Sequence, residues 1–165
     1  MTHRHVVHPH SAGVLRFRRT SSDVEVLLVH PGGPFWRRRR TGWWQIPKGL
    51  IAPGEQPLAT ARREFTEELG CSCEGLAIEL GDVRQAAGKL LTAFAIEGDV
   101  VPDLAKGNLF TMEWPPGSGH EASFPEVDAA RWFSLDQAEL EILPGQRPLL
   151  DRLRVLLAAR ASEAP

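Results

Sequence analysis

The sequence predicts a layered α/β/α domain built on a mixed β-sheet, with helices packed against both faces of the strands. Three features predict it: Val- and Leu-rich segments bounded by Gly, Pro and polar turns, an amphipathic helix at 57–69, and a leucine stripe in a helix that Pro148 opens. The chain has 165 residues, the common size of one domain with one core. We therefore expect a single domain over 1–165, with frayed ends at 1–8 and 160–165.

The strand candidates are short segments rich in Val, Leu and other apolar residues. The first two are 11–17 and 24–30, and the polar turn at 18–23 between them predicts an antiparallel pair. Beyond the central helix, clusters of Gly and Pro separate four further candidates, at 75–80, 89–97, 108–113 and 128–133.

Two helices are predicted after the last of these strands. Ser134 and Gln137 form a capping-box pattern that starts a short helix, which ends near Ile142. Pro148 suits the first turn of the final helix, because the N–H that proline lacks would have no partner there. The apolar stripe of that helix consists of Leu149, Leu153, Leu156 and Leu157.

The central helix has one apolar and one acidic face. Pro57 suits its first turn, and Gly70 suits the left-handed residue that ends it. At about 100° per residue, one stripe gathers the apolar side chains of Leu58, Ala61, Phe65 and Leu69. A neighbouring stripe gathers three carboxylates, those of Glu64, Glu67 and Glu68.

Three carboxylates on one helical face repel each other, which indicates a cation between them or a face that is simply solvated. Oxygen ligands favour a hard ion, and Mg²⁺ in particular retains several waters and is completed by substrate phosphates. The segment just before the helix, Trp-Trp-Gln-Ile-Pro-Lys-Gly at 43–49, adds a glycine turn and the cation of Lys48. Together these features favour the metal over the solvated face.

The spacing of seven glycines and charged residues resembles the signature of the Nudix hydrolase family. In this chain they are Gly49, Glu55, Arg63, Glu64, Glu67, Glu68 and Gly70. Phe65 and Cys71 stand where the family usually has aliphatic residues, and both can still be buried. The resemblance implies an α/β/α sandwich and the hydrolysis of a nucleoside diphosphate linked to another group.

The resemblance also implies roles for these residues. Glu64, Glu67 and Glu68 would be the metal ligands, with the Gly49 carbonyl as a further ligand. Arg63 would orient the catalytic Glu64 and pair with Glu55, and Gly70 would be structural. The expected cofactor is Mg²⁺, with Mn²⁺ as an alternative.

Segments outside this signature resemble the diadenosine tetraphosphate hydrolase-like branch of the family: 11–13, the Trp-x-x-Pro-Lys-Gly approach, and 125–133. They favour a dinucleoside polyphosphate as the substrate. A diphosphoinositol polyphosphate and a modified nucleotide remain alternatives. A Nudix-like module that senses a nucleotide without cleaving it is an alternative of another class, although such modules commonly lose the signature carboxylates that this chain retains.

Many family members contribute one more acidic residue from outside the signature. Glu113, Glu121 and Glu126 compete for this role, and the Pro-Glu-Val-Asp segment favours Glu126 as a catalytic residue. The expected substrate contacts are Lys48 for phosphate and Trp43 or Trp44 for a base, because tryptophan rings stack on bases. Core packing is an equally good account of either indole, because it buries a large apolar area.

The run of four arginines at 37–40 would suit a long polyphosphate, with Arg39 as a substrate contact, although a solvated loop is an alternative. A nucleic acid partner is disfavoured, because one Arg run in a chain of net charge −2 is a poor basic footprint. The oligomeric state stays open.

The remaining features carry no predicted chemistry. No apolar run reaches the roughly 18 residues of a membrane helix and no signal peptide is apparent, so a cytoplasmic protein without a membrane partner is expected. Cys71 and Cys73 are expected to be reduced structural thiols. The histidines at positions 3, 5, 8 and 10 receive no role.

Overall fold

Strand β1 organises the sheet, because its uninterrupted buried run at 12–17 is covered on both faces. The computed structural model describes residues 8–164. Its strands are β1 His10–Arg19, β2 Val24–Pro31, β3 Lys48–Leu50, β4 Ala77–Arg84, β5 Leu90–Glu97, β6 Leu109–Glu113, β7 Glu121–Pro125 and β8 Val127–Ser134. Its helices are α1 Pro57–Leu69, α2 Leu135–Glu141 and α3 Arg147–Glu163.

Six strands form one mixed sheet in the order β4-β5-β1-β2-β8, with β3 paired to β1 outside this path. β1 runs parallel to β5 and antiparallel to β2 and β3. The pairing of β1 is divided along its length: 11–13 pair with β3, whereas 17–19 pair with β2. Strands β6 and β7 form a separate two-stranded hairpin.

Two hydrophobic clusters cover the two faces of the sheet. One contains Ala61, Phe65 and Leu69 of α1. The other contains residues of α2 and α3, among them Ala138 and Leu149. The α/β/α sandwich and the mixed sheet predicted from the sequence are therefore confirmed.

Several predicted bounds change. β4 runs to Arg84 and so extends beyond the predicted 75–80, with a bulge between Glu79 and Gly81. Helix α3 continues to Glu163, so most of the predicted frayed end at 160–165 is helical. The predicted fraying of 1–7 lies outside the described residues, as do His3 and His5.

Cys71 and Cys73 are both free, and burial raises the pKa of each thiol. His10 is the first residue of β1 and forms a hydrogen bond with the Thr92 hydroxyl at 2.7 Å. No helix within residues 8–164 combines the length and the apolar character needed to cross a membrane.

Candidate active site

Helix α1 has the predicted bounds and presents its carboxylates beside its buried face. Pro57 occupies its first turn, and Gly70 ends it in the left-handed conformation with φ 66° and donates its N–H to the Thr66 carbonyl. The side chain of Glu64 is 14% exposed and that of Glu67 is 35% exposed. The acidic face is therefore partly shielded from water, and carboxylate repulsion is stronger there than on an open helix.

Arg63 connects the signature carboxylates. Its guanidinium donates two hydrogen bonds to Glu55, at 2.8 and 2.9 Å, a bidentate geometry that also fixes the guanidinium plane. The same group contacts Glu64 and Glu67, both at 3.0 Å. Arg63, assisted by the Thr60 hydroxyl, lowers the pKa of Glu55 to about 2. Arg63 therefore holds Glu64 and Glu67 in place and is itself held by Glu55.

Glu68 is the most constrained carboxylate of the helix. Burial, opposed by the charge of Lys48, raises the pKa of Glu68 to about 8. The nearby backbone of Lys48 acts to lower the pKa of this carboxylate, yet its Oε2 atom is buried without a partner among the described residues. A buried carboxylate oxygen without a donor is unfavourable, and a cation would satisfy it.

Gly49 lets the backbone approach the signature carboxylates closely, because it has no side chain. A methyl group at this position would overlap the Glu64 carboxylate. The Gly49 backbone therefore lies directly against Glu64, next to Lys48, whose own backbone contacts Glu68. One backbone segment and two carboxylates thus converge as the oxygen-rich set that Mg²⁺ or Mn²⁺ prefers.

Within residues 8–164, however, no three His, Cys, Asp or Glu side chains are already gathered in the geometry of a metal site. Arg63 explains this, because its guanidinium engages the carboxylates of both Glu64 and Glu67. The residues fit a divalent ion by their chemistry, and binding would require the two carboxylates to exchange contacts with Arg63 for contacts with the metal.

Strand β3 positions Lys48 beside this site. Gly13 of β1 faces it, and a side chain at Gly13 would approach the Pro47 carbonyl to 2.6 Å and Lys48 Cβ to 2.9 Å. Burial is the main cause that lowers the pKa of Lys48. The negative charge of Glu68 raises this pKa, and the positive charge of Lys89 lowers it further. Lys48 is therefore a shielded cation close to both Glu68 and Lys89.

Of the three acidic residues considered outside the signature, the structure brings Glu126 to the site. Its charge raises the pKa of Glu64 and Glu68, after burial as the main cause in both. Burial, followed by the charge of Glu67, raises the pKa of Glu126 itself. Glu113 and Glu121 face each other across the exposed hairpin, and neither is among the charges that shift the signature carboxylates.

The prediction that Trp44 stacks on a base is wrong. Trp44 is 2% exposed and packs edge-on against His30 and Phe133. Its backbone bonds to Glu141 and Leu143 fix it between the sheet and α2. No face of the indole is open to a ligand, so Trp44 is a core residue.

Trp43 and Arg39 lie in the loop that follows β2. Trp43 is half-buried, packs against Trp36 with 4.9 Å between ring centroids, and has the Arg39 guanidinium 5.3 Å from its ring. Arg39 also lines a cavity of about 360 Å³, which we term the arginine pocket. The other residues that line it are Pro34, Phe35, Arg37, Arg38, Trp114 and Phe124.

Sequence reasoning missed the residue that fastens this loop to the sheet. His30 is fully buried, and its ring nitrogens contact the Asp128 carboxylate at 2.9 Å and the Arg39 carbonyl at 2.6 Å. The hydrophobic run of β2 gave no signal for this role, because a buried histidine is as compatible with packing as with anchoring.

Comparison with known proteins places these features in context. The model of the NUDIX domain family matches residues 7–153. An RNA pyrophosphohydrolase of Rickettsia africae (strain ESF-5) is 33% identical over 117 residues, which cover 64% of this chain and 67% of that protein. The RNA pyrophosphohydrolase of Rickettsia bellii (strain OSU 85-389) is 32% identical over the same length.

Solved structures share the fold at low identity. A binary complex of the C. elegans Ap4A hydrolase has a TM-score of 0.62 at 19% identity, covering 90% of this chain and 98% of that one. The NUDIX domain of Shewanella oneidensis NrtR, complexed with ADP ribose, has a TM-score of 0.60 at 17% identity, covering 96% and 90%. These likenesses show the common architecture.

Proposed function

Because the chain belongs to the NUDIX domain family and is a hydrolase acting on pyrophosphate bonds, we propose that it cleaves a phosphoanhydride in a nucleoside diphosphate-linked substrate with the help of Mg²⁺. The first candidate substrate is a dinucleoside polyphosphate such as diadenosine tetraphosphate. The observation that carries the metal dependence is the buried Oε2 atom of Glu68, which lies near Gly49 and Glu64 and has no partner within residues 8–164.

In this proposal Glu64, Glu67, Glu68 and the Gly49 carbonyl hold the metal. When bound, a divalent ion neutralises phosphate oxygens and lowers the pKa of the attacking water. Arg63, itself held by Glu55, orients Glu64 and Glu67 before the metal binds.

The remaining roles belong to residues around the carboxylates. Lys48 binds phosphate, a role supported by its partial burial and its proximity to Glu68. Glu126 accepts the proton that leaves the attacking water, a role supported by its electrostatic coupling to the signature carboxylates. A charge-bearing group in a shielded site acts more strongly than the same group in water.

A second candidate is the 5′-polyphosphate end of RNA. Two observations favour it: the relatives at 32–33% identity are RNA pyrophosphohydrolases, and the arginine pocket combines cations with aromatic rings. Such a combination suits a single-stranded nucleic acid, because arginines attract the backbone while aromatic rings stack on bases. Both candidates share a 5′-polyphosphate attached to a nucleoside.

The test is chromatography of the products after incubation with diadenosine tetraphosphate or with a 5′-triphosphorylated oligoribonucleotide, each with Mg²⁺, with Mn²⁺ and with EDTA. Metal-dependent formation of ATP and AMP from the first substrate supports the first candidate. Release of phosphate or pyrophosphate from the oligonucleotide alone supports the second. If neither is cleaved, nucleotide sugars, modified triphosphates and diphosphoinositol phosphates follow.

Glu68→Gln tests the metal assignment, with Glu113→Gln on the distant hairpin as the matched control. Loss of a metal ligand should lower turnover by at least about 100-fold, whereas the control should keep wild-type turnover. Wild-type turnover by Glu68→Gln would contradict the assignment. Calorimetry that shows nucleotide binding with no turnover on any substrate would support the sensing-module alternative.

A further inference from the structure

A cleft of about 410 Å³ adjoins the candidate active site on the side of Lys48, and its other lining residues have no role in the reaction described above. Its walls carry Trp36, Gln45, Lys48, Gln85, Lys89 and Leu143. We term it the Trp36 cleft. Its volume lies within the roughly 300–1,000 Å³ range of small-molecule sites, and its lining combines apolar walls with a few polar groups, as such sites do.

The indole of Trp36 packs against a second indole, that of Trp43. It packs against Trp43 at 4.9 Å between ring centroids and 45° between ring planes, and Arg39 lies near the outer side of Trp43. Trp36 borders the cleft and packs against Trp43, so it supplies an aromatic ring at the cleft wall. A planar, aromatic ligand is the group that such a ring recognises.

Gln85 is oriented by a chain of hydrogen bonds. The buried Gln146 accepts a bond from the Ile46 N–H at 2.9 Å, which fixes its amide. The Gln146 NH₂ group then donates to Gln85 Oε1 at 2.8 Å. With its oxygen engaged by Gln146, the group that Gln85 offers a ligand in the cleft is its NH₂ donor, which matches an acceptor on the edge of a heterocycle.

Two lysines supply positive charge at the end nearest the metal site. Lys48 and Lys89 are close enough for the charge of Lys89 to act on Lys48. In the described part of the chain the ion pair formed by a lysine is that of Lys106 with Asp103, so neither cleft lysine has such a partner. Both lysines line the cleft, so their positive charge would attract an anion bound there.

We propose that the Trp36 cleft binds the nucleoside end of the substrate, with the base stacked on Trp36, its acceptor edge at Gln85, and the adjoining phosphates at Lys48 and Lys89. The proposal rests on the proposed function, since the phosphates must continue from the cleft towards Glu68. It assigns the stacking role to Trp36, which lines the cleft, and not to Trp43, which packs against Trp36.

The test separates base recognition from phosphate recognition. Calorimetry in Mg²⁺ measures the affinity of the protein for α,β-methylene ADP, which resists hydrolysis, and for methylenediphosphonate, which lacks the nucleoside. Trp36→Ala should weaken α,β-methylene ADP by about tenfold, the scale of one stacked base, and leave methylenediphosphonate unchanged. Gln85→Leu should weaken the nucleotide by about fivefold with the same selectivity.

Leu76→Ala is the control, because Leu76 is an apolar side chain that is 76% exposed and lines neither the Trp36 cleft nor the arginine pocket. It should bind both ligands as the wild type does, and thermal unfolding should show that all variants are folded. The proposal is overturned if the wild type does not bind α,β-methylene ADP, if Trp36→Ala binds it unchanged, or if Trp36→Ala loses both ligands equally.

The two proposals fail in different ways. If the wild type cleaves no substrate but Trp36→Ala selectively loses affinity for the nucleotide, the cleft assignment stands and the proposed reaction is refuted. Metal-dependent cleavage by the wild type, together with unchanged nucleotide affinity in Trp36→Ala, would refute the cleft assignment alone.

Discussion

Glu68→Gln is expected to stabilise the metal-free protein while it removes catalysis. The reason is that burial raises the pKa of Glu68 to about 8 from an ordinary value of 4.5, and Oε2 has no partner in the described residues. Between these two pH values the folded protein keeps a proton that the unfolded chain releases. Stability must therefore fall as pH rises from about 4.5 to about 8, and be fully retained below that window.

The size of this effect follows from the displacement of the pKa. At 1.36 kcal/mol per pH unit, a pKa moved from 4.5 to about 8 lowers the free energy of unfolding by up to about 5 kcal/mol above pH 8 and about 3 kcal/mol at pH 7. Below about pH 5 the same group contributes under about 1 kcal/mol. These are upper limits, because the neutral Gln amide is also partly buried and keeps one desolvated group.

The assay is urea unfolding in EDTA at several pH values, followed by far-UV circular dichroism. Glu68→Gln should be more stable than the wild type at pH 7 to 8 and equal to it near pH 5, and added Mg²⁺ should stabilise the wild type alone. Glu79→Gln, an exposed carboxylate on β4, is the control and should follow the wild type at every pH. The reasoning is refuted if the Gln variant is no more stable than the wild type at pH 8.

Three further predictions follow from individual contacts. Gly49→Ala should lower turnover by at least about 100-fold, because the added methyl group displaces the Glu64 carboxylate. Leu50→Ala, at the neighbouring exposed residue, should keep wild-type turnover. Equal turnover by the two variants would contradict this prediction. Trp44→Ala should lower the free energy of unfolding by about 3–5 kcal/mol in denaturant titrations, and Trp43→Ala by clearly less; the reverse order would contradict the core role of Trp44. Arg63 lowers the pKa of Glu55 to about 2, so the stabilisation that Glu55 provides is present above about pH 4.5 and is lost as pH falls towards 2. In an acid titration, Glu55→Gln should be less stable than the wild type at neutral pH and equally stable near pH 2.

Most of the fold could be predicted because local signals agreed with the tertiary arrangement. Helix α1 has a proline at its start, a left-handed glycine at its end and an apolar stripe between, and its bounds match the prediction. Strand β7 was missed because the segment after Trp114 is rich in Gly and Pro, and those residues form only the tip of the hairpin. Strand β3 was missed because its three residues are defined by pairing with β1 and carry no period of their own.

The site was predictable only where spacing along one helix determines it. Which face of a loop residue meets a ligand depends on contacts from distant parts of the chain, and this separates Trp36 from Trp44. Trp44 is buried by Phe133, and Trp36 borders a cleft whose other wall includes Gln85. The isolation of the Glu68 carboxylate likewise arises from the approach of β3, which no helical pattern can reveal.

The divided pairing of β1 places the proposed metal ligand Gly49 and the loop of the proposed ligand contacts at different halves of one strand. Its first half carries β3, and with it the backbone of Lys48 and Gly49, against α1. Its second half carries β2, whose end leads into the loop of Trp36 and the four arginines. The loop returns to the sheet through the bridge between Val29 and Gln45, so its residues lie outside the pairing of β3 with β1. We therefore expect changes of length or sequence in this loop to alter ligand contacts without moving Lys48 and Gly49.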